Sequence, residues 1–217
     1  MAYDLEEQEQ LADLKAFWTK YGNLLSWVLI IALASYAGYN FWNHHQRTQA
    51  ADASALYEEQ QKSLGDKDNA KVQRIAADIE SKFGGTAYGQ MAALTAAKGA
   101  FDANDMKTAK TQLQWVVEHG TDDYKSIAKL RLAGILLDEK AYDEGLKLLA
   151  TEFVPQFAGA VADRKGDILV AQNKLAEART AYQAALAAMD KKNPGRQLVQ
   201  VKLESIGGTV ETPKAPA

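Results

Sequence analysis

The sequence predicts an all-α protein: a single N-terminal transmembrane helix followed by a helical-repeat solenoid. Three observations predict it. Tyr21 to Gln46 carries no Asp, Glu, Lys or Arg over 26 residues. Beyond Arg47, Ala, Leu, Lys, Gln and Glu recur at three- and four-residue spacing, the period of amphipathic helices, with no alternating strand pattern. Small residues then return at Ala109, Gly145 and Ala178, intervals of 36 and 33 residues that mark stacked helix pairs.

The charge-free segment comes first. Gly22–Trp42 spans 21 residues, roughly 31 Å as a helix at about 1.5 Å per residue, enough to cross a hydrocarbon core of about 30 Å once. Trp18, Tyr21 and Trp27 stand at one end and Tyr36, Tyr39, Phe41 and Trp42 at the other, where amphipathic rings favour the membrane interface. A buried core helix of a soluble protein seldom lacks charge for so long. A cleaved signal peptide needs a short basic leader and a small-residue cleavage site after the apolar run. Here the leader is acidic (Asp4, Glu6, Glu7, Glu9 and Asp13 against Lys15 and Lys20), and the only A-x-A, Ala32–Ala34, lies inside the run. The segment therefore reads as an uncleaved signal-anchor. Lys15 and Lys20 precede it while Arg47 alone follows closely, a bias placing the N-terminus in the cytoplasm. Leu11, Leu14, Phe17, Trp18 and Tyr21 recur at helical spacing before the span, as either an interfacial amphipathic helix or an extension of the span. Ala34 and Gly38 form a small-x3-small pair, a candidate packing site for another membrane helix.

After the span, helices are expected near 44–64, 68–83, 86–103, 106–119, 123–139, 142–152, 158–172, 175–190 and 194–206. Stops lie at Gly65-Asp66, Gly84-Gly85, His119-Gly120, Pro155, Asn173 and Asn193-Pro194-Gly195. Residues 207–217, rich in Gly, Thr and Pro, are expected to form a flexible tail. One helix pair reads Gly166, Leu169, Asn173, Leu175, Ala178, Tyr182, Ala185; a second fits with Ala97, Ala100, Asn104, Met106, Ala109, Leu113, Val116. A third fits more loosely with Ala133, Leu136, Lys140, Tyr142, Gly145 and Leu149. The order of a small residue, an apolar residue, a turn, a small residue, then a large one resembles the tetratricopeptide pattern, without its terminal Pro. Small residues are needed where the two helices of a pair cross closely.

A solenoid of this kind presents a concave face lined by the first helix of each pair. In this register the face carries Met91, Leu94, Lys98 and Phe101, then Ile127, Leu130, Gly134 and Leu137, then Asp163, Asp167 and Val170. These are the candidate groove for a partner helix or extended peptide, unless a terminal helix covers them. Catalytic chemistry finds no footing. The net charge of −3 gives no field for nucleic acid, and the absence of Cys excludes thiol catalysis and Cys-based metal sites. His44 and His45 are adjacent and point to different helix faces, and His119 suits a helix C-terminus. No phosphate-binding loop, nucleophile elbow or zinc-protease motif occurs, so neither an enzyme nor a cofactor is expected.

The opening Leu14-Lys15-Ala16-Phe17-Trp18, Tyr21-Gly22-Asn23 and Phe41-Trp42-Asn43-His44-His45-Gln46 resembles the ancillary subunits of the bacterial SecYEG translocon. Tyr88-Gly89, Leu130-Arg131-Leu132-Ala133, Val161–Asp167 and Ala178-Arg179 extend the resemblance over about residues 10–206. It implies a single-pass protein of the bacterial inner membrane: cytoplasmic residues 1–21, a signal-anchor at 22–43, a periplasmic tetratricopeptide-like domain at 44–206 and a tail at 207–217. It further implies association with SecYEG and with a membrane-anchored periplasmic chaperone of the prolyl-isomerase type, passing emerging polypeptides to chaperones by protein contacts. The same repeats are also compatible with a scaffold for cell-envelope assembly or division complexes, or with a cytoplasmic-facing scaffold if the charge bias misleads.

Overall fold

The computed structural model describes residues 3–209. Its helices are α1 (Tyr3–Gly65), α2 (Asn69–Phe83), α3 (Ala87–Asp102), α4 (Met106–His119), α5 (Asp122–Asp138), α6 (Tyr142–Leu149), α7 (Ala158–Ala171), α8 (Leu175–Ala188) and α9 (Arg196–Ser205), with a 3-10 turn at Pro155–Phe157. Strands are absent among the described residues. The expected helices recur within a few residues, with one difference at the start. The leader, the apolar segment and the helix expected near 44–64 form one uninterrupted α1. The polar run Asn43–Gln46 contains no breaker, and no Pro precedes Pro155, so nothing in the chain ends the helix before Gly65.

The chain divides into two compact units, residues 1–51 and 52–217. In the first, Leu24, Trp27, Val28, Leu29, Ile30, Ile31 and Leu33 are 53–62% exposed. A helix apolar on every face and bare of protein is suited to lipid. By length and composition it is the one helix of the described residues able to cross a membrane.

The second unit is a run of helix pairs whose joints share one geometry. Lys67, Asn104, Lys140 and Asn173 all have φ near +60°, and Gly207 has φ +73°. They recur at intervals of 37, 36, 33 and 34 residues. At each joint the following N–H bonds back five residues: Asp68 to Ser63, Asp105 to Ala100, Ala141 to Leu136, Lys174 to Leu169 and Gly208 to Leu203, at 2.8–3.0 Å. This is the left-handed helix ending that satisfies otherwise orphaned carbonyls. Among the described residues four complete pairs therefore stack, and α9 follows them with the same joint geometry at its end. The pair formed by the end of α1 with α2 escapes the sequence pattern because its sizes are exchanged. Gln60 stands where the later pairs have Ala97, Ala133 and Gly166, and Ala76 stands where they have Leu113, Leu149 and Tyr182. Gln60 is fully buried and donates to the carbonyls of Val72 (3.3 Å) and Ala92 (3.0 Å), tying α1 to α2 and α3.

The core is segmented accordingly. Ile75 and Ile79 of α2 meet Ala92 of α3 and Leu56 and Tyr57 of α1. Leu113 and Val116 of α4 pack with Ala97 and Ile135 of the flanking first helices. Ala133, Leu149 and Ile168 join α5, α6 and α7, and Leu169, Tyr182, Val199 and Leu203 join α7, α8 and α9. Two close approaches explain the smallest residues. A Cβ on Gly145 would stand 2.9 Å from Ile168 Cδ1, and one on Gly166 would stand 2.4 Å from the Tyr182 ring.

Candidate partner-binding groove

The first helices of successive pairs lie in the order α1, α3, α5, α7, so side chains at equivalent positions share a face. Between α3, α5 and α7 this face opens into a hollow of about 320 Å³ lined by Lys98, Phe101, Arg131, Gly134, Asp138 and Arg164, over Ala97, Leu113 and Ile135. Of the expected groove residues, Lys98, Phe101 and Gly134 meet there. Phe101 is 41% exposed. Lys98 pairs with Asp102 one turn on. The two arginines are additions that the sequence pattern did not single out.

The remaining expected residues take other places. Leu94 is buried in the α3–α4–α5 core, with Ile127 packed against it. Leu130 and Leu137 pack half-buried against the Ala133–Leu149–Ile168 cluster, and Val170 packs against the cluster around α8. Met91 is half-buried. Asp163 and Asp167 are held from α9: Lys202 Nζ donates to Asp163 Oδ1 (2.8 Å) and Oδ2 (3.1 Å) and to Asp167 Oδ2 (3.0 Å). Tyr182 donates its hydroxyl to Asp167 Oδ1 at 2.9 Å. Burial pushes the Asp163 carboxyl upward, against the Lys202 hydrogen bond. The Tyr182 phenol is pushed well up, by burial first and then by the Asp167 charge. Burial opposes the Lys202 charge, but its hydrogen bonds to both carboxylates outweigh that and hold its pKa above the ordinary lysine value.

At the other end, the face runs past Lys98 into a hollow of about 730 Å³ between α1, α2 and α3, bordered by Leu64, Val72 and Gly99. Away from the groove, Glu80 of α2 lies near His119 of α4, whose ring stacks on Trp115 at 4.7 Å. Burial pushes the Glu80 carboxyl up to about 7, with the His119 charge pulling the other way, and its Oε1 has no hydrogen-bond partner. His44 and His45 are exposed, and no group of three potential metal ligands occurs among the described residues. In the first unit, Ala34 and Gly38 are exposed, and a Cβ on Gly38 would meet nothing within 4 Å.

A family profile described as a tetratricopeptide repeat-like domain matches residues 15–208. An "Ancillary SecYEG translocon subunit" of Neisseria gonorrhoeae is 32% identical over 208 residues, 95% of this chain and 100% of that protein. Proteins with the same name from Escherichia coli and Haemophilus influenzae are each 28% identical, covering 92% and 85% of this chain and 96% and 91% of their own lengths. A bare apolar helix, segmented helical repeats and these full-length similarities converge: the chain belongs to the family of ancillary SecYEG translocon subunits, built on a tetratricopeptide repeat-like domain.

Proposed function

We propose that the protein is a non-catalytic, membrane-anchored adaptor that works beside the SecYEG translocon. Residues 22–43 cross the bacterial inner membrane once, residues 1–21 lie in the cytoplasm and the repeat domain faces the periplasm. Ala34 and Gly38 give the span a smooth face on which a neighbouring membrane helix can pack. The first helices of the repeats form a groove that engages emerging polypeptides and a membrane-anchored chaperone of the prolyl-isomerase type, so that clients leaving the channel pass to chaperones by protein contacts. The observation that carries this proposal is the continuity of α1. The exposed apolar helix and the helical repeats belong to one chain, with no breaker residue between them, which supports a repeat domain tethered to the membrane.

Two arms test it. A reporter enzyme active only outside the cytoplasm, fused after Ala217, is expected to be active; silence from an intact fusion overturns the orientation. A photo-crosslinking residue at Phe101 is expected to trap a chaperone or a nascent chain during secretion. Crosslinks to neither, with the protein correctly inserted, overturn the groove's role.

A further inference from the structure

Toward Trp42 the apolar helix acquires a polar face. Tyr36, Asn40, Asn43 and Arg47 follow one another at intervals of four, three and four residues, which at about 3.6 residues per turn keeps them on one side of α1 over three turns. Tyr36, Asn40 and Arg47 are exposed and Asn43 is partly so. We propose that this stripe holds the headgroup of one anionic glycerophospholipid; this rests on the membrane-spanning reading above and adds a lipid to it. The small pair Ala34 and Gly38 lies on the other side, since Gly38 is two residues from both Tyr36 and Asn40 and so about 200° round the axis. Phe41 and His45 stack on that side too, with ring centroids 6.5 Å apart. A lipid on the stripe and a helix on the small pair therefore do not compete.

Depth, donors and charge all select such a ligand. Trp42 marks the membrane interface. Arg47 lies five residues beyond it, about 7–8 Å along the axis, and the headgroup layer adds about 5–8 Å to the hydrocarbon core on each side. Helical side chains lean toward the N-terminus, here toward the membrane, so the guanidinium reaches back to the phosphate level. Asn40 lies two residues inside Trp42, about 3 Å deeper, at the level of the ester oxygens. An amide left unpaired at that depth is costly, and both Asn side chains carry donors that phosphate and ester oxygens can accept. The planar guanidinium fits a phosphate with two hydrogen bonds. Arg47 takes part in none of the salt bridges among the described residues. No Asp or Glu occurs between Asp13 and Asp52, so the face is net positive and favours an anionic headgroup over a zwitterionic one. Contacts between membrane helices favour small residues, whereas this stripe is built from Tyr, Asn and Arg, which suits a lipid better than a second helix.

The test uses the full chain released from membranes in mild detergent and exchanged with equimolar phosphatidylglycerol and phosphatidylcholine of identical acyl chains. Native mass spectrometry is expected to show one phosphatidylglycerol retained per chain, about five-fold in preference to phosphatidylcholine. R47Q/N40L is expected to bring the two lipids to equality. R47Q/H45R keeps a cation at this level but moves it about half a turn round the helix, and is expected to lose the preference as well. A photo-crosslinking residue in place of Asn43 is expected to trap lipid. Equal retention of both lipids by the unaltered chain, or a preference unchanged in R47Q/N40L, overturns the proposal. So does a preference kept by R47Q/H45R, which would reduce it to charge alone, or a protein helix trapped at position 43 in place of lipid. The comparison on the unaltered chain stands whatever the variants do. A chain recovered from the membrane without lipid preference removes the lipid site alone, whereas a chain absent from the membrane removes the span itself.

Discussion

Gly166→Ala is expected to destabilise the protein, although glycine-to-alanine changes within helices ordinarily stabilise. Gly166 lies inside α7, where alanine gains about 1 kcal/mol in helix propensity. Against this, the new methyl carbon would stand 2.4, 2.5 and 2.9 Å from three atoms of the Tyr182 ring. That ring is only 3% exposed, and its hydroxyl is fixed to Asp167, so it cannot simply swing aside. Overpacking costs about 1–3 kcal/mol, and three such short contacts with a ring held in place put this site in the upper part of that range, about 2–3 kcal/mol, leaving a net loss of about 1–2 kcal/mol. For a chain of this size that lowers Tm by about 2–8 °C. Gly134 is the internal control. It lies inside α5, and a Cβ there would make only ordinary contacts at 3.7–3.9 Å, so Gly134→Ala should raise stability by about 0.5–1 kcal/mol. Thermal unfolding of the full chain in detergent, followed by circular dichroism, reads both variants. G166A/Y182L should show a favourable coupling of about 1 kcal/mol or more, because the smaller side chain makes room for the methyl. Equal shifts for G134A and G166A, or no coupling with Y182L, would refute the size-matching account of the helix crossing.

Three further outcomes follow. Lys67 and Lys140 sit at positive φ at the repeat joints, so Lys67→Gly and Lys140→Gly should each stabilise by about 0.5–1 kcal/mol in denaturant unfolding; a loss would deny the shared joint. Glu80 has its carboxyl pushed from 4.5 up to about 7 in the folded protein. The native state therefore binds the extra proton, and this stabilisation is present below pH 4.5 and lost as pH rises toward 7. Glu80→Gln should flatten that slope and leave the variant about 1–2 kcal/mol more stable at pH 8, after allowing for screening at a part-exposed carboxyl; an unchanged slope would refute it. Lys202→Met leaves Asp163 and Asp167 facing each other without their shared cation. It should cost about 1–2 kcal/mol, and the coupling with D163N should be favourable.

Most of the fold was legible because its cues are local. Helical periodicity, the stop at Asn173 and the turn positions Asn104 and Lys140 of the repeat pattern lie within single pairs, and the structure turns at each of these three. The first pair was not legible because Gln60 and Ala76 exchange the large and small members of the pattern, which preserves volume while erasing the motif. The hollow was half legible. Lys98 and Phe101 fell on the expected face, whereas Arg131 and Arg164 lie one residue beyond Leu130 and Asp163, and their shared 33-residue interval was the available signal. That Asp163 and Asp167 would be engaged by Lys202 depends on where α9 packs, a contact across 35–39 residues that no local pattern carries.

The claim that this chain is a membrane-anchored partner of the Sec machinery is tested most directly by isolating the tagged full chain from membranes in mild detergent. SecY, SecE and SecG should be recovered with it. They should be depleted when residues 22–43 are replaced by an unrelated apolar span of equal length that still inserts. Absence of all three from the isolated full chain, with the chain itself intact in the membrane, would contradict the account.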